Sequence, residues 1–296
     1  MRITRYAAAL AATGVVLAGC SSDAGETVED AADNTAAVAT DVEFEPGSTM
    51  AEIVEAGELR VGTKIDQPGF GLANTAGDPE GFDVEMAKLI AAKMGLTEDQ
   101  ITFTETVSAN REPFLQEGRV DMVVATYTIN DKRKELIDFA GPYYEAGQDI
   151  MVAAGNPENI EGPEDLAGKS VCSVEGSTPA ETIRTEYPEA ELVLYDAYSK
   201  CADDLRNGNV DAVTTDNVIL TGLVEGGAGA FELVGNPFTE EPYGIGVPKG
   251  QDDFRDFIND VLEESFEDGS WADAWDSTAG AITDTEAPEP PKVNRY

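Results

Sequence analysis

The sequence predicts an α/β fold built on an open, parallel sheet. Residues 120–125 are apolar and β-branched, which is typical of a buried strand, and residues 58–64 and 101–107 also have strand patterns. Residues 82–94 lie between two of these runs and carry apolar side chains at helical spacing. Strands that alternate with helices indicate a parallel sheet, because each parallel connection needs a crossover.

The second half of the chain continues this alternation. Residues 148–153, 170–174 and 210–214 are predicted strands, and residues 254–266 have helical periodicity. A Ser-Thr-Pro run that begins at Ser177 is typical of a capped helix start, with Pro at an early helical position. We therefore expect the α/β class throughout.

The two ends of the chain have different compositions. Residues 21–47 are rich in Ala, Asp, Glu and Thr and have little to bury, which predicts a flexible tether. Folded sequence is expected from Ser48, where a short capped helix over residues 49–55 begins. Residues 281–296 include Glu-Pro-Glu-Pro-Pro and predict a disordered tail.

Residues 1–20 have the pattern of a targeting segment. Arg2 and Arg5 precede an apolar run, residues 7–17, that is too short to span a bilayer. The motif Leu-Ala-Gly-Cys that ends at Cys20 resembles the lipobox of bacterial lipoproteins, so Cys20 is expected to carry lipid. The alternative is an ordinary signal peptide with a chance cysteine.

The composition limits the functions that remain. The 296 residues allow one or two domains and a sizeable core. A formal net charge of −39 repels phosphate, which excludes nucleic-acid binding, and a bound anion therefore needs a local basic pocket. The absence of histidine removes a His-based triad, most zinc sites and the usual general base. We expect no metal, no cofactor and no enzymatic activity.

Hydroxyl groups and arginines surround the predicted strand at residues 120–125. These candidate site residues are Ser108, Arg111, Thr126, Thr128 and Arg133. Hydroxyl and guanidinium groups at the carboxyl end of a strand suit an anion, and two arginines suggest an acidic ligand or two acidic groups. The alternative is that both arginines form surface salt bridges, which is common in a Glu-rich chain.

Four motifs follow one another along the chain. They are GFDVEMA from Gly81, DFAGPYY from Asp138, EGST from Glu175 and NVDAV from Asn209. This series resembles the family 3 extracellular solute-binding proteins, the amino-acid receptors of ABC importers. KIDQPGFG from Lys64, with the later SANR and ATYTI segments, is similar to actinobacterial glutamate-binding lipoproteins.

The resemblance implies a bilobal fold like that of periplasmic binding proteins, with two open sheets joined by two hinge crossings. Lobe I would comprise residues 48–145 and 243–280, and lobe II residues 146–242. It also implies a disulfide in the second lobe between Cys172 and Cys201, which two neighbouring thiols outside the cell would form. A catalytic cysteine is the rival interpretation, but it has no histidine partner.

The resemblance further assigns ligand contacts at the amino-acid end. Arg133, with Thr126 and Thr128, would bind the α-carboxylate, and Ser177 and Thr178 would add donors from lobe II. These groups would compensate for the desolvation of the ligand charge.

The remaining assignments concern the α-ammonium and the ligand side chain. Asp216 would bind the ammonium, although a helix cap is the alternative at this position. Lys64, Ser108 and Arg111 would gather around a side-chain carboxylate, but Lys64 could equally be a solvated lysine at a strand end.

These observations predict a monomeric, lipid-anchored receptor on the extracytoplasmic face of the cell membrane. It would bind glutamate between its lobes and deliver it to an ABC permease. Glutamine or aspartate is an alternative ligand, and an extracellular dehydratase-like enzyme on the same fold is an alternative function. A sensor module is a third possibility, but no signalling domain follows the receptor sequence.

Overall fold

The computed structural model describes residues 37–296. The predicted signal peptide, its lipidation site Cys20 and residues 21–36 of the predicted tether lie outside the described residues. Within the described part, no helix is both long enough and apolar enough to cross a bilayer.

The described residues alternate between strands and helices. In chain order the strands are β1 (Leu59–Thr63), β2 (Asp66–Gln67), β3 (Gly71–Ala73), β4 (Pro79–Glu80), β5 (Ile101–Glu105), β6 (Met122–Val123), β7 (Ile137–Ala146), β8 (Gln148–Ala153), β9 (Ser170–Val174), β10 (Glu191–Tyr195), β11 (Ala212–Asp216), β12 (Phe231–Leu233) and β13 (Glu241–Pro248). The α-helices are α1 (Thr49–Ala56), α2 (Phe82–Lys93), α3 (Arg111–Gln116), α4 (Asp131–Lys134), α5 (Thr178–Glu186), α6 (Tyr198–Asn207), α7 (Asn217–Gly226), α8 (Asp252–Asp268), α9 (Ser270–Ser277) and α10 (Ala279–Thr283). Short 3-10 helices cover Glu98–Gln100, Ser108–Asn110 and Pro163–Leu166.

The strands form two five-stranded sheets and one small sheet. The first sheet has the order β5-β1-β6-β13-β7, the second has the order β10-β9-β11-β8-β12, and β2, β3 and β4 form the small sheet. In the first sheet β1 is parallel to β5 and β6, whereas β13 is antiparallel to β6 and β7. In the second sheet β9 is parallel to β10 and β11, whereas β8 is antiparallel to β11 and β12. The predicted α/β class is confirmed, and an antiparallel strand makes each sheet mixed: β13 in the first sheet and β8 in the second.

The chain passes between the two large sheets twice. β7 ends in the first sheet at Ala146, and β8 begins in the second sheet at Gln148. β13 returns to the first sheet after β12. We call the part built on the first sheet lobe I and the part built on the second sheet lobe II. Two sheets joined by two crossings give the predicted bilobal fold.

Local signals in the sequence set the helix ends. The Ser48 hydroxyl accepts a hydrogen bond from Ala51 N and caps the start of α1, and Gly57, with φ of 70°, caps its end. The Ser177 hydroxyl accepts from Ala180 N and caps α5 in the same way. These caps satisfy backbone N–H groups that have no partner inside the helix.

Aromatic packing fixes the loop after β2 inside lobe I. Phe70 is fully buried and meets four rings edge-on at centroid distances of 5.9–6.2 Å. These rings belong to Phe82, Tyr144, Tyr243 and Trp275. The cluster joins α2, β7, β13 and α9, and it holds the segment that follows β1 in place.

The disulfide of lobe II is present as predicted. Cys172 in β9 and Cys201 in α6 are bonded, with a Cα–Cα distance of 5.5 Å. Under a chain-entropy model, a loop of this size contributes about 3 kcal/mol to stability. The bond ties a helix to the sheet on which it packs.

The last residues differ from the prediction of a disordered tail. In residues 281–296, Asn294 N donates to Gly141 O at 2.8 Å, and Arg295 forms ion pairs with acidic side chains of α8. Val293 is buried. The acidic, Pro-rich tract alone suggested disorder, but the Val-Asn-Arg-Tyr end supplies an apolar group and a cation that complement lobe I.

The described part of the predicted tether also contacts lobe I. Ala39 N donates to Ala92 O at 2.8 Å, and Phe44 packs edge-on against Phe257 at a centroid distance of 5.6 Å. A backbone hydrogen bond and a single ring thus hold part of a segment that is otherwise polar, and the overall composition of the segment does not reveal such contacts.

Candidate functional site

The nine predicted ligand residues lie where the two lobes face each other. Eight of them are buried and Thr178 is half-buried. Each follows or ends a strand of its sheet, or stands in the helix that comes next. Because the carboxyl ends of parallel strands meet at one edge of a sheet, sequence-distant side chains converge there.

Arg111 is buried at the start of α3 without an acidic partner. Its Nε donates to Ser108 O at 3.3 Å, and Nη1 donates to Ala125 O at 3.0 Å and Thr126 O at 3.2 Å. Nη2 reaches Gly176 O of lobe II at 3.4 Å. Within residues 37–296 its hydrogen bonds all go to backbone carbonyl oxygens, and no carboxylate forms an ion pair with it.

Lys64 lies directly after β1 and is also buried. Its Nζ donates to the Ser108 hydroxyl at 2.8 Å, and no carboxylate of the described residues forms an ion pair with it. Burial, followed by the positive charge of Arg111, lowers the pKa of Lys64 to about 7. A nearby anion would restore the charged form, because an opposite charge favours it. The structure therefore contradicts the alternative that Lys64 is a solvated lysine.

Arg133 has a different environment from Arg111. It stands in α4, where its Nη1 donates to Thr128 O at 2.6 Å and its Nη2 donates to Gly176 O at 3.0 Å. Its Nε forms an ion pair with Glu112 at 3.2 Å. Burial, followed by the charge of Arg111, lowers the pKa of Arg133 to about 10. Part of its charge is thus balanced inside lobe I. The alternative that Arg111 and Arg133 form surface salt bridges is wrong, because both side chains are buried.

Asp216 ends β11 as a buried carboxylate with one free oxygen. Oδ2 accepts from the Tyr243 hydroxyl at 2.6 Å, whereas Oδ1 has no hydrogen-bond partner among the described residues. Asp216 occupies the N-cap position of α7, but its side chain makes no capping bond, so the predicted alternative of a helix cap is not supported. Burial, followed by the charge of Glu241, raises the pKa of Asp216 to about 7.

The hydroxyl groups of Ser177 and Thr178 already form hydrogen bonds within the protein, most of which the sequence did not predict. Ser177 Oγ donates to Val174 O at 2.7 Å while it caps α5, so its proton is not free for a ligand. Thr178 Oγ1 lies 2.8 Å from Glu241 Oε2 and 3.1 Å from Thr128 Oγ1. The sequence correctly predicted the Ser177 cap, and the structure places the Thr178–Thr128 pair across the two lobes.

Thr126 is held by two residues that sequence reasoning did not assign. Its backbone N donates to Asp83 Oδ2 at 2.8 Å, and its Oγ1 donates to Gln67 Oε1 at 3.0 Å. Asp83 also accepts from the Tyr143 hydroxyl. Burial raises the pKa of Asp83 to about 7. Both Asp83 and Gln67 stand in motifs that the sequence singled out, but nothing in those motifs showed that they meet Thr126.

The two lobes touch each other at the site. Gly176 O of lobe II accepts from both Arg111 and Arg133 of lobe I. Tyr198 N, at the start of α6, donates to Asp66 Oδ2 at 2.8 Å. The structure is therefore a closed arrangement of the lobes. Among residues 37–296, no cluster of three or more potential metal ligands occurs.

Comparison with known proteins agrees with this geometry. The model of the bacterial extracellular solute-binding proteins, family 3, matches residues 59–277. The glutamate-binding protein GluB of Corynebacterium efficiens is 41% identical over 237 residues, which cover 77% of this chain and 80% of that protein.

A glutamine-binding relative and a solved structure are also similar. The glutamine-binding protein GlnH of Bacillus subtilis is 40% identical over 225 residues, covering 75% of this chain and 81% of that protein. The structure of an ancestral arginine-binding protein bound to glutamine matches with a TM-score of 0.71 and 37% identity, over 75% of this chain and 97% of that chain.

Proposed function

Because the chain belongs to the bacterial extracellular solute-binding proteins of family 3, and is an amino-acid receptor of an ABC importer, we propose that its ligand is glutamate. It is a binding protein and not an enzyme.

The observation that carries the proposal is the buried pair of cations Arg111 and Lys64. Neither forms an ion pair with a carboxylate in the described part of the chain. A buried cation without a counter-ion is costly, because protein groups replace its hydration only in part. A ligand carboxylate between Arg111 and Lys64, with a hydrogen bond from Ser108, would remove this cost. Such a carboxylate is the side chain of glutamate.

The other end of the cleft suits the groups that every amino acid has. The Arg133 guanidinium would bind the α-carboxylate, with donors from Thr126 and Thr128 beside it. The free Oδ1 of Asp216 would accept from the α-ammonium. The pKa of Asp216 is raised to about 7 by burial, and a bound ammonium would lower it again because it favours the carboxylate.

Glutamine is the competing ligand, since the similar GlnH is a glutamine-binding protein and the similar ancestral protein was solved bound to glutamine. It has nearly the shape of glutamate, but its amide carries no charge. Glutamine would leave Arg111 buried and without a counter-ion, so the charge balance favours glutamate. Aspartate has both carboxylates but is one methylene shorter, and it would not reach both ends equally well.

Lobe closure and membrane anchoring complete the proposal. A ligand that contacts both lobes favours their closed arrangement, because only that arrangement makes all the contacts. The hydrogen bonds from Arg111 and Arg133 to Gly176 O belong to this state. We further propose that Cys20 carries the lipid anchor and that the monomeric receptor, closed over its ligand, docks on the permease.

Calorimetric titration of glutamate and glutamine tests the ligand assignment. The wild type should prefer glutamate by more than about thirtyfold, since leaving a buried charge unpaired costs about 2–5 kcal/mol. Arg111→Ala should erase most of this preference, because it removes the charge that distinguishes the two ligands. Arg133→Ala should weaken the binding of both ligands to the same extent, because both have the α-carboxylate.

Arg119→Ala is the matched control. Arg119 is exposed, and its guanidinium lies over the Phe114 ring, away from the cleft residues described above. This variant removes one positive charge, as Arg111→Ala does, but from an exposed side chain that water and salt screen. Both affinities should therefore stay within about twofold of the wild type. A wild type that binds glutamine as tightly as glutamate would overturn the assignment. Conversion of either ligand to a product would support the dehydratase-like alternative.

A further inference from the structure

An aromatic ring lies against both arginines of the cleft. The Tyr127 ring centroid is 4.2 Å from Arg111 Cζ and 4.9 Å from Arg133 Cζ. Tyr127 is fully buried. At these distances, the negative face of an aromatic ring attracts a guanidinium, and the attraction increases when water is excluded.

The surrounding chain holds this ring in one place. Phe139 of β7 meets Tyr127 edge-on at a centroid distance of 4.8 Å. On β13, a Cβ atom at Gly246 would lie 2.9 Å from a ring carbon of Tyr127, so only glycine leaves room for the ring. Tyr127 is therefore a rigid part of lobe I.

The two arginines repel each other, and this repulsion requires compensation. The charge of Arg111 contributes to the lowered pKa of Arg133, after burial. Arg133 is partly balanced by Glu112, but Arg111 has no such acid among the described residues. The Tyr127 ring is thus a favourable side-chain contact for Arg111 where a carboxylate is missing.

The contact with the ring does not depend on closure of the lobes. Gly176 O, which accepts from both arginines, belongs to lobe II and would move away when the lobes separate. Tyr127, Ala125 and Thr126 belong to lobe I together with the arginines. In an open receptor, the ring would still lie against both guanidinium groups, and the two carbonyl oxygens would still accept from Arg111, when the ligand arrives.

We propose that Tyr127 is a positioning residue that holds Arg111 and Arg133 ready for a dicarboxylate before the lobes close. It does not contact the ligand, and it acts through the two guanidinium groups. The proposal rests on the proposed function, because it takes the ligand to be an amino acid with two carboxylates. Preorganised cations spare the ligand the cost of ordering them, which raises affinity.

Three variants separate positioning from packing. Tyr127→Leu removes the ring face and should weaken glutamate binding by about ten- to thirtyfold, the equivalent of a desolvated cation–π contact. Tyr127→Phe keeps the ring and should stay within about threefold. Phe254→Leu is the matched control: it removes a fully buried aromatic ring that belongs to a different core cluster from Tyr127 and lies over neither arginine, and it should also stay within about threefold.

Glutamate and glutamine titrations, with melting temperatures for each variant, decide between the outcomes. Equal affinity losses in Tyr127→Leu and Phe254→Leu, or unchanged affinity in Tyr127→Leu, would overturn the proposal. If Tyr127→Leu does not fold, Tyr127→Met replaces it, because methionine fills irregular space without a ring face. A wild type without preference for glutamate would refute the proposed function instead, and the wild-type titration reports this separately.

Discussion

Acidic groups of the cleft are buried at a cost to stability. Asp216 and Asp83 each accept from a tyrosine hydroxyl, and burial raises the pKa of each to about 7. Neither has a cation within the ion-pair distances found elsewhere in the described residues. Such groups are typical of binding sites, where function requires a charge that the fold alone would not favour.

Asp216→Asn should therefore stabilise the ligand-free protein while abolishing binding. The folded pKa of Asp216, about 7, lies above its unfolded value. As the pH rises from about 4 to about 7, the unfolded state releases a proton that the folded state keeps, so the free energy of unfolding falls. It stays low at higher pH. Asparagine has no proton to lose, so the variant does not show this decrease.

Melting temperatures at two pH values test this expectation. At pH 8, Asp216→Asn should melt about 5 °C above the wild type, and at pH 5 less than half of this difference should remain. Asp203→Asn is the control, because Asp203 is exposed and should change the melting temperature by less than about 1 °C. A difference that grows toward pH 5 would contradict the argument.

The turn between β9 and α5 brings the lobes into contact. Gly176 in this turn has φ of 80°, and its carbonyl oxygen accepts from both arginines. A Cβ atom at Gly176 would lie 2.7 Å from Ala109 Cα of lobe I, closer than side chains tolerate. Glycine thus serves two purposes here: it permits the left-handed backbone and it allows close approach.

Gly176→Ala should weaken the binding of glutamate and of glutamine alike, by at least about tenfold, because the closed arrangement of the lobes then contains a steric clash. Gly208→Ala is the matched control: Gly208 has φ of 70°, and a Cβ atom there would meet nothing within 4 Å. In both variants the left-handed backbone should lower the free energy of unfolding by about 1–2 kcal/mol. Only the ligand affinity should therefore distinguish them. Titration calorimetry and melting curves measure both quantities. Equal affinities in the two variants would show that closure does not need this approach.

At the scale of the molecule, a strongly acidic protein encloses a small cationic site. The chain carries a net charge of −39, yet Lys64, Arg111 and Arg133 gather where the lobes meet. Charges screened by water at the surface act weakly over distance, whereas buried charges are screened much less. An acidic ligand can therefore bind in spite of the repulsion from the net negative charge of the protein.

Membrane attachment is expected to depend on Cys20 alone. Cys20→Ser removes the thiol that would carry lipid, so the variant should appear as unlipidated precursor and leave the membrane fraction. Ser22→Ala is the control and should remain attached. Cell fractionation with mass spectrometry of the N-terminal peptide measures both. Normal membrane retention of Cys20→Ser would refute the anchor.

Local sequence patterns were sufficient to predict the class of fold and to propose the residues of the candidate site. Strands and helices could be predicted because their apolar periodicity is local, and the caps at Ser48 and Ser177 depend on residues within one turn. Arg111 and Arg133 could be proposed because hydroxyl groups and arginines flank the predicted strand at residues 120–125, whereas Asp216 was assigned through the resemblance to related receptors. The disulfide of Cys172 and Cys201 followed from the resemblance to related receptors.

The balance of charges in the site could be read only from the folded structure. It pairs Arg133 with Glu112 and leaves Arg111 without a carboxylate, and it sets the Tyr127 ring against both. It also docks the C-terminal residues that composition alone predicted to be disordered. These contacts depend on distances between groups that packing brings together from separate strands and helices. Such distances are not encoded in the local pattern around any one residue.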